Sequence, residues 1–344
     1  MNDIQTNALQ SKSVRRLIFI GLALFSSFVA ITLIASSRSV SLVSPVQAAQ
    51  GAITGEWVAD FNRKDADEVQ LTIMRRSARG GNHSSSSGFP LSEFQGLTRE
   101  QAFGARADVR FRLVREAGTF ELEGSFREGK GAGHWTLTPN QSFISAMQSR
   151  GYDNLTEEDL FSAALFDINI KSIEDLKAAG FDRLSFKELV EASIFKVTGE
   201  FIREMKSAGF DNLTLKELVE ARIFKVDGQF VKEVQAMGFG RQPLKKLVEM
   251  RIFKITPEFI KEMRALGFDN LSQQELVNFS VHKVTAEFLN GLKAEGFNSI
   301  SPEEAVELKI HRVDADFVRR VKAKGFADVT LRQLVDMRIH GIVK

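Results

Sequence analysis

Three histidines recur at one position of a repeating sequence and are the residues that most readily suggest a metal site. His282, His311 and His340 are 29 residues apart, and the earlier units carry phenylalanine at the same place. Corresponding positions of stacked repeats lie about one repeat apart, whereas the ligands of one zinc ion lie about 2 Å from it. We therefore predict no metal site here and expect these histidines at the edge of an apolar core.

Two other stretches contain incomplete site motifs. Residues 124–131, GSFREGKG, satisfy G-x-x-x-x-G-K, but a phosphate-binding loop needs Ser or Thr where Gly131 stands, and a helix behind it. This stretch therefore predicts a glycine-rich hairpin between two strands. Residues 60–68 are acidic, yet Lys64 occupies a ligand place of a calcium loop and the loop glycine is missing, so that we expect a charged turn.

Catalytic constellations are not recognisable in the sequence. Cysteine is absent, and no G-x-S-x-G elbow occurs. The sequence predicts a protein that is not an enzyme, with no catalytic, cofactor-binding or metal-binding residue. A hydrolytic enzyme that uses His134 and Glu121 of the strand region stays an alternative, although no nucleophile, base and orienting group can be assembled around them.

The N-terminal region has the pattern of a targeting segment. Lys12, Arg15 and Arg16 precede an uncharged apolar run at residues 17–37. The run has about the 20 residues that a helix needs to cross a bilayer. Because basic residues stay on the cytoplasmic side, everything beyond residue 50 is expected to be exported.

Two alternatives remain open for this segment. In the first, residues 1–16 are cytoplasmic, residues 17–37 anchor the chain in a bacterial cytoplasmic membrane by a single pass, and residues 38–50 are a linker. In the second, residues 17–37 are the apolar region of a signal peptide that is cleaved near Ala48, which leaves a secreted or periplasmic protein.

Residues 51–149 alternate apolar and polar side chains, the period of half-buried antiparallel strands. The alternation occurs in five stretches, at 55–61, 68–76, 109–116, 119–126 and 134–139. Ala117 and Gly118 predict a tight hairpin between the third and fourth strands. We expect a small sheet, either curled to cover itself or packed on the following helices. The interval 77–107 contains RGGNHSSSSG and predicts a long exposed loop, with one helical turn near 98–103.

From residue 151 to residue 344 the sequence repeats. Seven glycines, each followed by an aromatic residue, are spaced by 29 residues; they are Gly151, Gly180, Gly209, Gly238, Gly267, Gly296 and Gly325. A fixed period of this size is the signature of a repeat architecture. It predicts an αα-hairpin solenoid of about six and a half units, in which stacking buries an apolar core that one short helix pair cannot bury alone.

Each unit has the start and stop signals of two short helices. Capping boxes, in which a hydroxyl and a side chain three residues later satisfy free N–H groups, open the first helix. Their hydroxyl residues are Thr156, Ser185, Thr214, Ser272, Ser301 and Thr330, and Pro243 is the exception. Good N-caps open the second helix at Asn169, Thr198, Asp227, Thr256, Thr285 and Asp314. The recurrent glycine fits the position just after the second helix, where a left-handed residue is needed.

The predicted fold class is therefore α+β, with an N-terminal membrane helix, a small antiparallel β-domain at 51–149, and an αα-hairpin solenoid of 29-residue repeats at 151–344. Recurrent cations near the ends of the first helices form a possible interaction ridge of Arg222, Lys225, Arg251, Lys254, Lys309 and Arg312. Basic and acidic residues nearly balance in the repeats, which argues against a nucleic-acid partner. Since glutamates lie nearby, we expect the ridge to be solvated and ion-paired.

Two sequence motifs together resemble a set of mostly uncharacterised bacterial envelope proteins. GTFELEGSF at 118–126 and GKGAGHW at 129–135 are similar to a motif of a small β-domain in those proteins, and repeats such as GFDNLTLKEL at 209–218 are similar to the short helical repeats that follow it. Similar repeats also follow some membrane metallopeptidases of the antibiotic-sensor type, but the catalytic part of those proteins is missing here. The resemblance implies the arrangement of the chain and supplies no catalytic residue.

A non-catalytic scaffolding or protein–protein interaction role in the cell envelope follows as the functional expectation. The helical repeats would present their surface to a protein or peptide partner, because repeat arrays supply extended surfaces. A sensor or regulatory partner of a membrane signalling protein is the alternative of a different class. Neither the identity of the partner nor the oligomeric state can be predicted from the sequence.

Overall fold

An antiparallel sheet of seven strands forms the first part of the chain in the computed structural model, which describes residues 53–61, 67–76 and 82–343. The strands are β1 (Ile53–Phe61), β2 (Glu68–Arg76), β3 (Asn82–Pro90), β4 (Phe94–Gln95), β5 (Ala107–Arg115), β6 (Gly118–Arg127) and β7 (Lys130–Pro139). They are ordered β3-β2-β1-β7-β6-β5-β4 across the sheet. A single 3₁₀ turn, Leu91–Glu93, joins the two edge strands β3 and β4, so the sheet is curled and its edges approach.

The five strands predicted from alternation are confirmed, as β1, β2, β5, β6 and β7. Most of their apolar residues face the inside of the curled sheet, whereas Val58 and Val114 lie on the outer face. Trp57 contacts Phe111 edge-on at 5.4 Å between ring centroids, and Phe126 lies 5.5 Å from Trp57. All three rings are almost completely buried. The predicted hairpin between β5 and β6 is present, with its turn at Glu116 and Ala117.

Glycines in β6 and β7 allow Trp57 to lie close to the sheet. Gly124 and Gly133 are directly opposite each other, and a Cβ on Gly133 would overlap the carbonyl oxygen of Glu123. The indole N–H of Trp57 donates to the carbonyls of Glu123 at 3.2 Å and His134 at 3.1 Å. The glycine-rich motif therefore has a structural reason, since a larger side chain would push the indole off its two acceptors.

The predicted loop at 77–107 is not a loop throughout. Residues 82–90 form the edge strand β3, paired with the whole of β2, and β4 and the short helix α1 (Arg99–Phe103) follow it. Only Phe89 gives β3 a buried apolar side chain, so the serine-rich strand has no alternating pattern to recognise. Backbone pairing holds it in the sheet. The helical turn expected near 98–103 is confirmed as α1, capped by Thr98.

The GSFREGKG stretch is a hairpin, as predicted. Glu128 and Gly129 form its turn with φ values of 51° and 85°, the left-handed pair of a type I′ turn. Strands β6 and β7 pair on either side of it. The charged turn predicted between β1 and β2 falls at residues 62–66, which lie outside the described residues.

Fourteen short helices follow the sheet within the described part of the chain. They are α2 (Gln141–Gln148), α3 (Glu157–Leu165), α4 (Ile170–Ala178), α5 (Phe186–Ile194), α6 (Gly199–Ser207), α7 (Leu215–Ile223), α8 (Gly228–Val234), α9 (Leu244–Ile252), α10 (Pro257–Ala265), α11 (Gln273–His282), α12 (Ala286–Ala294), α13 (Pro302–Ile310), α14 (Ala315–Ala323) and α15 (Leu331–Ile339). A π-helical turn, Gln235–Phe239, extends α8.

The predicted caps are confirmed. Capping boxes with both hydrogen bonds open α3, α5, α7, α11, α13 and α15. Of the α-helices that the structure describes, α9 alone begins without a side-chain cap, at Pro243. The six predicted N-caps of the even-numbered helices from α4 to α14 each accept a hydrogen bond from a backbone N–H. Cap chemistry written in the sequence thus sets where the helices begin.

Two reversals per 29 residues use left-handed backbone. The seven repeat glycines have φ between 89° and 106°, directly after the even-numbered helices. After the odd-numbered helices the left-handed residue is Asp167, Lys196, Lys225, Lys254, Lys283, Arg312 or Gly341. In both turns the next N–H bonds back to the helix, as Phe210 does to Met205 and Val226 to Ala221. This is the Schellman arrangement of a helix C-terminus.

Helices contact their equivalents one unit further on. Odd-numbered helices contact in the pairs α3–α5, α5–α7, α7–α9, α11–α13 and α13–α15, and even-numbered helices in the pairs α2–α4, α4–α6, α6–α8 and α12–α14. The predicted apolar face of Phe201, Ile202 and Met205 is buried, whereas Phe259 at the equivalent of Phe201 is only half-buried. One apolar cluster runs from Ile53 in the sheet to Val277 in α11, and the sheet and the first helices therefore share a core.

Among the described residues, no helix combines the length and the apolar composition needed to cross a membrane. The segments predicted at 1–16, 17–37 and 38–50 lie outside the described residues. The anchored and the cleaved alternatives both stay predictions.

Gly133→Ala should destabilise the protein by several kcal/mol, of the order found for overpacked cores, because its methyl group would overlap the backbone of β6. Chemical denaturation followed by tryptophan fluorescence measures this. The control is Ala132→Ser on the exposed face of the same strand, which should change the free energy of unfolding little. Equal stability of both variants would contradict the close approach of β6 and β7.

Glu217→Gln should make the helical part less sensitive to acid. The backbone N–H and hydroxyl of Thr214 both donate to the Glu217 carboxylate and lower its pKa from the ordinary value of 4.5. A lowered pKa stabilises the folded state above the unfolded-state pKa, and that stability is lost as the pH falls through the folded-state pKa. Thermal unfolding between neutral pH and about pH 3.5 should show a smaller drop in melting temperature for Glu217→Gln than for Glu191→Gln. An identical drop would contradict the prediction.

Candidate interaction surface

Odd-numbered helices end in a recurring sequence of an aliphatic residue, an aromatic residue or histidine, and a left-handed residue. In the five internal turns these triplets are Ile194–Lys196, Ile223–Lys225, Ile252–Lys254, Val281–Lys283 and Ile310–Arg312. We call these five triplets the turn surface. It includes three of the six predicted ridge cations, Lys225, Lys254 and Arg312, together with Lys196 and Lys283.

The five cations of the turn surface are exposed and unpaired. Within the described residues, none of their side chains forms a hydrogen bond, an ion pair or a ring contact. Each has φ between 53° and 57°. An L-residue pays about 1–2 kcal/mol for this conformation. A cation near a helix C-terminus regains only about 0.3–1 kcal/mol from the helix dipole. Stability alone would favour glycine, which the chain uses at Gly341.

The other three predicted ridge residues have a structural role. Arg222 lies over the ring of Phe201 at 4.6 Å, Arg251 over Phe230 at 3.6 Å, and the ammonium of Lys309 lies 4.4 Å from the ring centroid of Phe288. The rings belong to α6, α8 and α12. Such contacts between a cation and an aromatic face are worth about 0.5–2 kcal/mol.

Arg222 also closes the preceding turn. Its Nε donates to the carbonyl of Phe195 at 3.3 Å, and Ser193 and Ser280, at the equivalent place in other units, donate to the carbonyls of Phe166 and Phe253. These bonds satisfy carbonyls that a helix end leaves free. The expected ion-paired ridge is wrong for the described residues, because none of the six cations forms an ion pair there. Three pack on the array and three extend into solvent.

Exposed aliphatic residues accompany the free cations. Ile252 and Val281 are each 41% exposed, and Ile310 is 52% exposed, at the ends of their helices. Their equivalents Ile194 and Ile223 are half-buried. Apolar side chains that recur on one surface beside unpaired charges are typical of interaction sites.

The first turn of the series is already occupied by the sheet. Asp167 is its left-handed residue, and its carboxylate lies 3.7 Å from Nε of Arg115 in β5. The carboxylate of Glu116 accepts the N–H of Ile170 at 3.0 Å. Phe161 in α3 stacks on Trp135 of β7 at 5.3 Å. At this turn, then, the helical part binds a protein surface of complementary charge.

The predicted core-edge histidines lie in the turns without forming a metal site. His282 and His311 are half-buried and His340 is exposed, each directly before a left-handed residue. In the described part of the chain, no three His, Cys, Asp or Glu side chains come together in a way that could hold a metal ion. Aromatic rings at the equivalent places, such as Phe224, pack against the core.

His134 and Glu121 lie on the exposed outer face of the sheet. His134 is opposite Glu56 on β1 and Glu123 on β6, while Glu121 is opposite Thr136. Arg110 of β5 pairs with Glu123 at 2.9 Å and with Glu121 at 3.9 Å. His134 itself forms no side-chain hydrogen bond within the described residues. Arg110, Glu121 and Glu123 thus form cross-strand charge pairs on this face.

Sequence reasoning missed the split between packed and free cations. The signal was present in the register, because Arg222, Arg251 and Lys309 each precede the left-handed residue by three positions and still belong to the helix, whereas the free cations are the left-handed residues themselves. Comparison with known proteins gives no further guidance: no family model, curated protein or solved structure matches the chain. The resemblance to bacterial envelope proteins therefore stays a prediction.

Arg222→Ala and Lys225→Gly should change stability in opposite directions. Loss of the Phe201 contact and of the Phe195 hydrogen bond should cost about 1–2 kcal/mol. Lys225→Gly relieves the left-handed backbone and should stabilise the protein by about 0.5–1 kcal/mol. Urea denaturation of the two single variants measures both values. A destabilised Lys225→Gly protein would show that the lysine has a structural role that the contacts do not reveal.

Proposed function

We propose that this protein is a non-catalytic scaffold of a bacterial cell envelope, in which an αα-hairpin solenoid of 29-residue units binds a protein partner. The observation that carries the proposal is the turn surface, with its exposed Ile252, Val281 and Ile310 beside unpaired cations. Repetition of one helix pair extends such a surface without requiring a new fold for each unit.

Contacts between equivalent helices support the solenoid arrangement. Each unit buries its apolar residues against the units on either side, and its caps and left-handed turns recur every 29 residues. The curled sheet covers the first unit, because Phe161 of α3 packs against both Trp135 and Phe120 of the sheet. A closed first unit protects the apolar end that a solenoid would otherwise expose.

The proposed location rests on the sequence of residues 12–37 alone. The basic flank and the apolar run favour a single-pass anchor in the cytoplasmic membrane with the sheet and helices exported, or a signal that is cleaved near Ala48. Either route places the turn surface outside the cytoplasm, where it would meet other envelope proteins.

Photo-crosslinking in intact bacteria tests the proposed function. Benzoyl-phenylalanine at Ile252 or Ile310 should give a discrete covalent adduct on irradiation. The matched control is the same probe at Val58, which is as exposed as Ile252 at 41% but lies on the outer face of the sheet. An adduct from Val58 alone, or none from any position, would contradict a partner on the turn surface.

A further inference from the structure

Left-handed cations at five consecutive turns need an explanation that stability does not supply. The same chain places glycine at the left-handed position after each of the seven even-numbered helices, and again at Gly341 after α15. An exposed lysine or arginine in that conformation is retained at a net cost of about 1 kcal/mol per turn, by the difference between backbone strain and helix-dipole gain. Such local costs are typical of functional positions.

Local carboxylates do not neutralise these cations. The nearest acidic residues in sequence are Glu200, Glu258 and Glu287 in the first turn of the next helix. At the other two turns they are the N-caps Asp227 and Asp314, whose carboxylates accept a backbone N–H of their own helix. Within the described residues, none of these carboxylates pairs with a turn cation. Glu258 instead accepts hydrogen bonds at its own helix N-terminus, from its backbone N–H and from Thr256, and these lower its pKa. The turn surface thus presents positive charge that the array leaves unmatched.

The first turn shows how this position binds protein. There the left-handed residue carries the opposite sign, and Asp167 is matched by Arg115 of the sheet. Beside it, the carboxylate of Glu116 accepts the first N–H of α4. In the five internal turns, which the sheet does not cover, the left-handed residue is Lys or Arg, so charge complementarity calls for carboxylates on the partner.

The spacing of the turns sets the form of the partner. Odd-numbered helices of neighbouring units contact each other in the five pairs α3–α5, α5–α7, α7–α9, α11–α13 and α13–α15, and packed helices lie about 8–10 Å apart. Three residues of an extended polyproline-II chain span about 9 Å, and every third side chain of such a chain points the same way. An extended segment with a carboxylate at every third residue therefore matches one cation per unit.

From this geometry we infer that the turn surface binds an extended, acidic protein segment, with carboxylates at about every third residue paired to Lys196, Lys225, Lys254, Lys283 and Arg312. Aliphatic side chains between the carboxylates contact the exposed Ile252, Val281 and Ile310. The inference rests on the proposed scaffold function and gives its partner a chemistry. An anionic lipid surface would offer negative charge without this spacing.

The test measures peptide binding to the full chain, held in detergent micelles of neutral headgroup. The probe is a fluorescent 15-residue peptide, Glu-Leu-Ser repeated five times, and the comparison peptide has the same composition with its glutamates in one block. Expected is binding of the spaced peptide at least tenfold tighter than that of the block peptide, weakened by salt. Equal binding of the two peptides, or binding of neither, would overturn the inference.

Two matched variants assign the binding to the turn surface. One changes all five turn cations to glycine, which suits the left-handed backbone and should leave the protein folded by circular dichroism. The other changes five exposed cations elsewhere on the helices to glutamine, namely Lys171, Lys187, Lys216, Lys245 and Arg332. The first variant should bind the spaced peptide at least tenfold more weakly and the second should bind it normally. If both variants lose peptide affinity equally, net charge explains the binding and the inference is overturned.

Phosphatidylglycerol vesicles test the lipid alternative on the same proteins. If the turn surface binds anionic lipid and not an acidic segment, the unchanged protein should bind the vesicles and the five-glycine variant should not. That result would overturn the inference. If the spaced peptide does not bind but the probe at Ile252 still gives an adduct in bacteria, the acidic segment is refuted and the scaffold function is not. If the peptide does not bind and the Ile252 probe gives no adduct, the scaffold function is refuted as well.

Discussion

Two left-handed turns in every 29 residues are the constraint on which the helical part depends. Helices of about nine residues are too short to be stable alone. They persist because each is capped at its start and reversed at its end, so that its apolar face meets the next unit. The glycine turn and the cation turn close their helices by the same backbone hydrogen bonds, as Phe210 and Val226 illustrate. The two turns share the left-handed backbone conformation and differ in the side chain of the left-handed residue.

The sheet solves the problem of the first unit. An array of stacked helix pairs would expose apolar residues at its beginning, and here α3 places Phe161 against Trp135 and Phe120 inside the curled sheet. Arg75 reinforces the junction through ion pairs of 3.0 Å with Glu157 and Glu158. The side chain of Arg75 is nearly buried, whereas the two glutamates are exposed, so solvent screens these ion pairs. The sheet is therefore part of the same folding unit as the helices beside it.

Much of this architecture could be predicted because short stretches of the sequence determine it. Glycine before an aromatic residue, a hydroxyl three residues before glutamate, and alternation along β1 each follow from one stretch of sequence. Strand β3 could not be predicted, because its serines pair through the backbone and, among its described side chains, Phe89 alone is both apolar and buried. The roles of Arg222 and Lys225 also escaped prediction. In the sequence these two cations, three residues apart, look equivalent. In the structure Arg222 lies over the ring of Phe201, whereas Lys225 is the exposed left-handed residue of the turn.

The central proposal is that this protein binds a protein partner at the turn surface. Methyl NMR of isoleucine-labelled protein, titrated with the spaced acidic peptide, tests it most directly. The account predicts shifts at Ile194, Ile223, Ile252 and Ile310, which recur every 29 residues or a multiple of 29, and none at the buried Ile73 or Ile202. Shifts confined to the sheet, or spread evenly over buried and exposed isoleucines, would contradict it.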